Sequence, residues 1–148
     1  MGPRFIPKIL GNIAAANIAI DYNIQGPSFT VSTACSSGGD AINTACMCIQ
    51  TGKADVMLAV GAESVLCPLV IYSLANAKAL SRRNDSPATA SRPFDVTRDG
   101  FVIGEGGGAL VLETEEHALA RGAKIYAEIR GCGNTDDAYH VTAPHPEG

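Results

Sequence analysis

The chain has 148 residues, about the length of one domain, and 46% of them are hydrophobic whereas 18% are charged. Soluble domains usually carry about 25% charged residues, so this composition excludes a disordered or fibrous protein and predicts an extensive buried surface. The net charge of −4 provides no basic surface for nucleic acid. The five cysteines form an odd number, which argues against a disulfide framework and predicts a reducing, cytoplasmic compartment.

The first part of the chain alternates between helix and strand patterns. Apolar residues recur on one helical face over residues 9–20, which favours a helix over a cleaved signal segment. The β-branched residues 28–33 predict a strand, residues 36–51 predict a helix, and the apolar run 55–60 predicts a parallel strand. Together the last three segments predict a βαβ unit with a right-handed crossover.

The second part continues this alternation. A helix is predicted over residues 68–80, and Thr114 is predicted to cap a short helix that extends through Ala120. The tail from residue 131 to 148 is predicted to be loop. Three further strands are predicted, over residues 101–103, 109–113 and 124–130. The chain is therefore predicted to be a layered α/β protein.

Cys35 is the residue that most clearly indicates chemistry. It lies in the segment Thr33-Ala34-Cys35-Ser36-Ser37-Gly38, where a predicted strand turns sharply into a predicted helix, as in a nucleophile elbow. The N-terminus of a helix favours a thiolate and offers N–H groups to a developing oxyanion. The alternative is a small buried cysteine, which is a common fate of this residue. That alternative is preferred for the other cysteines, which are Cys46, Cys48, Cys67 and Cys132.

A cysteine nucleophile needs a base or a cationic partner, which is usually a histidine. His117 is predicted to be a solvated surface residue. His140 and His145 lie in a turn-rich loop of the kind that shapes sites, but the spacing does not say whether either reaches Cys35. Cys132, His140 and His145 match no established ligand spacing, so no metal site is predicted.

Two further stretches resemble ligand motifs without fulfilling them. Residues 104–109 fit a dinucleotide fingerprint, but a strand and not a helix is predicted to follow, so no cofactor is predicted. Residues 95–100 resemble the start of a calcium loop, but they lack flanking helices and a glutamate at the closing position.

Three stretches together resemble the β-ketoacyl-acyl-carrier-protein synthases, which are condensing enzymes of fatty-acid and polyketide assembly, and most closely the type II elongating enzyme. These stretches are Gly26-Pro27 through Gly38, Gly52 through Glu63, and Ser91 through Gly106, and the ending Asp137-Ala138-Tyr139-His140 with Thr142 and Pro144 fits the same subgroup. The resemblance implies a thiolase-like layered α/β/α/β/α fold. It also implies that residues 1–148 are part of a ketosynthase domain, from the nucleophile region to the loop before the catalytic histidines.

The resemblance also implies roles for single residues. Cys35 would accept an acyl group from the phosphopantetheine of an acyl carrier protein, after which malonyl carrier protein would lose CO2 and condense with that group. His140 and Thr142 would line the substrate channel. A homodimer is implied, with the segment before Cys35 near the interface, and no cofactor, nucleic acid or membrane is implied.

The sequence also departs from the family. Two catalytic histidines, an assisting lysine and a glycine–phenylalanine gate lie C-terminal to the matching stretch, and His140 and His145 are not those histidines. The chain is therefore expected to be an incomplete fragment that does not condense alone. Residues 69–74 are bulkier than the family's glycine-rich stretch, which alters the expected acyl pocket. The alternatives are a thiolase-type or thioester-hydrolysing enzyme and a non-catalytic truncated subunit.

Overall fold

The computed structural model describes residues 2–3 and 5–148. Five α-helices, two short 3-10 helices (Ala34–Ser36 and Pro87–Thr89) and two strands form the regular structure of these residues. The helices are α1 (Phe5–Ile9), α2 (Ile13–Asp21), α3 (Ser37–Gln50), α4 (Pro68–Asn76) and α5 (Glu115–Ala120). The strands are β1 (Val56–Glu63) and β2 (Gly106–Glu113), which are hydrogen-bonded neighbours in one sheet. The predicted α/β class is therefore confirmed.

The chain divides into two compact units. The first unit comprises the residues up to Val60 together with Ala109–Gly148, and the second is Gly61–Gly108. Cys35 belongs to the first of them.

In the first unit the core lies along one face of α3. Ala45 and Cys48 are 3% and 6% exposed, and they share one side of the helix because they lie about one turn apart. Ala59 of β1 and Ala118 of α5 are also buried. These side chains are all small, so the backbones of a layered fold can approach one another closely.

Local signals set the ends of two helices as predicted. α3 ends before Gly52, whose φ of +68° lies in the left-handed region that glycine adopts at little cost. The amide of Lys53 donates to the Cys48 carbonyl oxygen at 2.8 Å and closes this end. α5 begins after Thr114, whose hydroxyl accepts a hydrogen bond from the His117 amide at 3.2 Å, as an N-cap does.

The remaining predicted helices have different boundaries. The helix predicted over residues 9–20 begins only at Ile13, as α2, and its first residue, Ile9, is the last residue of α1. Gly11, which weakens helices, lies in the break between the two. The helix predicted over residues 68–80 ends at Asn76, because Lys78 has a φ of +58° and leaves the helical path. None of the described helices combines the length and the apolar character that crossing a membrane requires.

The strands predicted over residues 55–60 and 109–113 are confirmed and lie in β1 and β2, except that Asp55 precedes β1. Two other predicted strands are wrong. Residues 28–33 and 124–130 are not strands and have no strand partner among the described residues. Their composition favours extended backbone, but a strand also needs a hydrogen-bonded neighbour. The predicted βαβ unit is therefore absent from the described part of the chain.

In the second unit, Asp99 and Gly100 hold the loop around them close to residues 80–82. Asp99 accepts hydrogen bonds from the Ser81 hydroxyl at 2.6 Å and from the Arg82 amide at 3.0 Å. Gly100 has a φ of +142°, and a Cβ atom there would lie 2.6 Å from the Leu80 carbonyl carbon. Only glycine fits at this position.

The strand predicted over residues 101–103 is reduced to an isolated parallel bridge between its first residue and Leu80.

Candidate functional site

Cys35 lies where an extended segment turns into α3. Residues 34–36 form a short 3-10 turn that continues directly into the helix, and Cys35 is exposed. Ala34, immediately before it, has a φ of +50°, which is uncommon for a residue with a side chain and costs about 1–3 kcal/mol. The predicted sharp turn at a helix N-terminus is therefore present, although the segment before it is not paired as a strand.

Side-chain hydrogen bonds hold this turn on both sides of Cys35. The Ser37 hydroxyl donates to the Ala34 carbonyl oxygen at 2.7 Å and accepts from the Thr33 amide at 2.9 Å. The Ser36 hydroxyl lies 2.8 Å from the Thr33 carbonyl oxygen. Because these contacts fix the backbone before and after Ala34, the strained turn is preorganised to present Cys35.

The Asp40 carboxylate, in the N-terminal part of α3, accepts hydrogen bonds from the turn and from a distant loop. Its Oδ2 atom lies 2.5 Å from the Thr33 hydroxyl and 3.1 Å from the Ser36 hydroxyl. Its Oδ1 atom accepts from the Asn134 Nδ2 atom at 2.7 Å. The bond from Thr33 is the main cause that lowers the pKa of Asp40; burial opposes it, and the bonds from Ser36 and Asn134 add to it. Asp40 is therefore a buried carboxylate, 9% exposed, that is ionised at neutral pH.

The loop that follows Asn134 carries the other predicted site residues. The Nδ1 atom of His140 accepts hydrogen bonds from the amides of Thr142 and Ala143, each at 3.1 Å. Asp137 accepts a hydrogen bond from the His145 amide at 2.9 Å. His140 and Thr142 are thus brought together in one exposed loop that its own side chains brace.

The structure joins this loop to the turn through Asp40 and Asn134. Within the described part of the chain, no hydrogen bond joins Cys35 to His140 or to Thr142. Asp40 and Asn134 were not identified from the sequence. An acidic residue near a helix N-terminus is ordinary, and no local pattern pairs it with a residue 94 positions further along the chain.

The other cysteines lie in different surroundings. The prediction of a buried residue is confirmed for Cys48 and wrong for Cys67 and Cys132, which are exposed and lie outside the helices and strands. Burial raises the pKa of the half-buried Cys46 thiol, and the neighbouring Cys132 raises it further. Cys67 is the N-cap residue of α4. It is therefore a natural comparison for Cys35, since both thiols are exposed and lie at the start of a helix.

Among the described residues, Cys35 belongs neither to a metal-ligand group nor to the lining of the cavity in the second unit. Among the described residues, no group of three or more histidine, cysteine or acidic side chains is arranged to hold a metal ion. A cavity of about 250 Å³ lies in the second unit and is lined mainly by apolar side chains such as Leu66, Ile71 and Phe101. Within the described part of the chain, none of the predicted site residues, which are Cys35, His140 and Thr142, lines this cavity.

Comparison with known proteins identifies similar sequences along the whole chain. Residues 1–118 match the family described as Beta-ketoacyl synthase, N-terminal domain. The chain is 52% identical, over 149 aligned positions, to 3-oxoacyl-(acyl-carrier-protein) synthase 2 of Rhizobium meliloti (strain 1021). That alignment covers 100% of this chain and 35% of the relative. The chain therefore spans about a third of the length of the curated relatives it matches.

Two solved structures are similar to this chain in fold. A beta-ketoacyl synthase from Burkholderia phymatum STM815 is 43% identical, with a TM-score of 0.84, over 92% of this chain and 33% of that one. A type II polyketide synthase ketosynthase, bound to a hexaketide and in complex with its acyl-carrier protein, is 41% identical, with a TM-score of 0.90. This second alignment covers 95% of this chain and 35% of that one.

Proposed function

Because this chain belongs to the β-ketoacyl synthase family, we propose that Cys35 accepts an acyl group from an acyl carrier protein for decarboxylative condensation with malonyl carrier protein. The fold is the thiolase-like α/β fold that the sequence resemblance implied. The observation that carries the proposal is the exposed Cys35 on a preorganised turn at the N-terminus of α3. We also propose that residues 1–148 form part of one ketosynthase domain, from the nucleophile to the loop that precedes the catalytic histidines.

The proposed reaction has two steps, and both pass through the Cys35 sulfur. In the first, the thiolate attacks the acyl thioester carbon, the carrier's phosphopantetheine leaves as a thiolate, and a new thioester forms on Cys35. In the second, the malonyl group loses CO2, and the resulting carbanion attacks that thioester and expels the Cys35 thiolate. The N–H groups at the start of α3 are suited to stabilise the oxyanion formed in each attack.

His140 and Thr142 are assigned to the channel through which the phosphopantetheine arm reaches Cys35. The assignment is supported by the hydrogen bond from Asn134, at the start of their loop, to Asp40, whose other oxygen accepts bonds from the nucleophile turn. The resemblance implies that the histidines that promote decarboxylation come from a more C-terminal segment. His140 is therefore assigned to substrate binding and not to proton transfer.

An acyl carrier protein is the proposed partner and a homodimer the proposed assembly. The similar polyketide ketosynthase was solved in complex with its acyl-carrier protein. Residues 28–33 are extended without a strand partner in the described part of the chain, and Phe29 is 55% exposed. An unpaired extended edge of this kind is suited to pair with the same segment of a second copy. The cytoplasmic location stays a prediction from cysteine content.

Intact-mass analysis tests the proposal. Incubation with an acyl thioester should add the mass of one acyl group, and peptide mapping should locate that group on Cys35. Cys35→Ala should abolish the adduct, whereas Cys67→Ala, which removes another exposed thiol at a helix start, should leave it unchanged. A folded sample that stays unmodified, or an adduct that survives Cys35→Ala, would contradict the proposal. Rapid release of free acid would favour the thioester-hydrolysing alternative.

A further inference from the structure

We propose that Asp40 is a positioning residue for Cys35, which holds the nucleophile turn in the geometry that acyl transfer needs; this inference rests on the proposed function of Cys35. The Thr33 and Ser36 side chains flank Cys35 in sequence, and both hydroxyls lie within hydrogen-bond distance of the same Asp40 oxygen, at 2.5 and 3.1 Å. One carboxylate oxygen therefore holds the turn before and after the nucleophile.

The second Asp40 oxygen ties the turn to another segment. Oδ1 accepts the amide of Asn134 at 2.7 Å, so the two oxygens together contact three donors from two parts of the chain. A carboxylate suits this arrangement because both of its oxygens accept hydrogen bonds, whereas an amide presents one acceptor and one donor. Asp40 is 9% exposed, so water competes weakly for these bonds.

The turn needs such support because its backbone is strained. Ala34 has a φ of +50°, which persists only where the surroundings determine it. The other bonds of the turn, such as that between Ser37 and the Ala34 carbonyl oxygen, are local and exposed. The Asp40 contacts are part-buried, and through Asn134 they tie the turn to a segment 94 positions further along the chain. Displacing a reacting group by about 1 Å can slow a reaction about 100-fold, so loss of these contacts should slow acyl transfer more than it weakens substrate binding.

The test measures acylation of Cys35 in the intact protein over a range of acyl-thioester concentrations. Asn134→Asp places two carboxylates against each other and should lower the maximum rate by about 10- to 100-fold, with the half-saturating concentration nearly unchanged. Combining it with Asp40→Asn reverses donor and acceptor, because the amide then lies on α3 and the carboxylate on the loop. The double variant should regain most of the wild-type rate. Asp21→Asn, at the exposed end of α2, is the matched control and should not change it.

The outcomes separate this inference from the proposed function. The inference is supported if both single variants acylate Cys35 slowly and the double variant acylates it faster, with circular dichroism showing that all three are folded. A purely structural role would lower the melting temperature without this rescue of the acylation rate. Wild-type rates in Asn134→Asp and Asp40→Asn, or no gain in the double variant, overturn it. If the single variants do not fold, Thr33→Val is tested instead, because it removes only the hydroxyl that donates to Asp40. This variant should acylate Cys35 more slowly, and a wild-type acylation rate overturns the inference. A wild-type protein that is never acylated on Cys35 overturns the proposed function and this inference with it.

Discussion

At the residue scale, Glu113 shows how one carboxylate joins the end of β2 to α5. It accepts hydrogen bonds from the Arg121 guanidinium and from the His117 Nδ1 atom, the latter at 2.6 Å. These bonds, with Arg121 the larger cause, lower the pKa of Glu113 from 4.5 to about 2. Because the folded-state pKa is depressed, the stabilisation is present above pH 4.5 and is lost as the pH falls through about 2.

Glu113→Gln is therefore expected to lower the melting temperature at neutral pH and to flatten its dependence on pH between 4.5 and about 2. Thermal unfolding followed by circular dichroism across this range checks it. Glu128→Gln is the control, since Glu128 and its partner Arg130 are 72% and 82% exposed and such pairs contribute little. Identical pH profiles for the wild type and Glu113→Gln would contradict this account.

At the element scale, the second unit depends on a close backbone approach between two loops. The amide of Phe101 donates to the Ala79 carbonyl oxygen at 2.8 Å, and the Ser81 amide donates to the Phe101 carbonyl oxygen at 2.9 Å. Gly100 lies beside this bridge, and a Cβ atom there would come within 2.6 Å of Leu80 and Ser81 backbone atoms. The bridge and a side chain at this position are therefore incompatible.

Gly100→Ala should destabilise the protein by about 3 kcal/mol or more, because overpacking and the positive φ each cost roughly 1–3 kcal/mol. Denaturant unfolding measures the change. Gly104→Ala is the matched control: no atom lies within 4 Å of a Cβ atom there, and the backbone is outside the left-handed region. Equal stabilities for the two variants would show that the close approach is not needed.

At the scale of the whole molecule, the buried apolar side chains of the described residues are small, whereas many large ones are exposed. The buried set is Ala45, Cys48, Ala59, Ala90 and Ala118. Leu69 and Ile20 are each 76% exposed and Phe94 is 97% exposed. Soluble proteins usually cover such surfaces with further chain or with a second copy.

Residues 1–148 expressed alone should therefore bind a hydrophobic dye such as ANS strongly and should self-associate as concentration rises. Dye fluorescence and analytical ultracentrifugation measure these properties. The Rhizobium meliloti relative, which is 52% identical and of which this chain spans 35%, provides the full-length control. A monomer that melts cooperatively and binds no more dye than this control would contradict the prediction.

Much of the local structure was predictable because its signals are local. Gly52 ends α3, and Thr114 caps α5, through contacts within a few residues of the chain. The position of Cys35 at a sharp turn before a helix was predicted from the same kind of signal. Residues 28–33 and 124–130 failed as predicted strands because a strand depends on a partner that composition cannot supply.

The amino-acid sequence by itself determined the α/β class, the family and the candidate nucleophile, because these depend on periodicity and on motifs that are contiguous in the chain. The tertiary structure alone decided which groups surround that nucleophile. Asp40 and Asn134 are 94 positions apart and meet only because the chain path brings the loop to the start of α3. The contacts of the buried Asp40 carboxylate with both segments follow from that path, since hydrogen bonds between distant segments depend on packing and not on local preference.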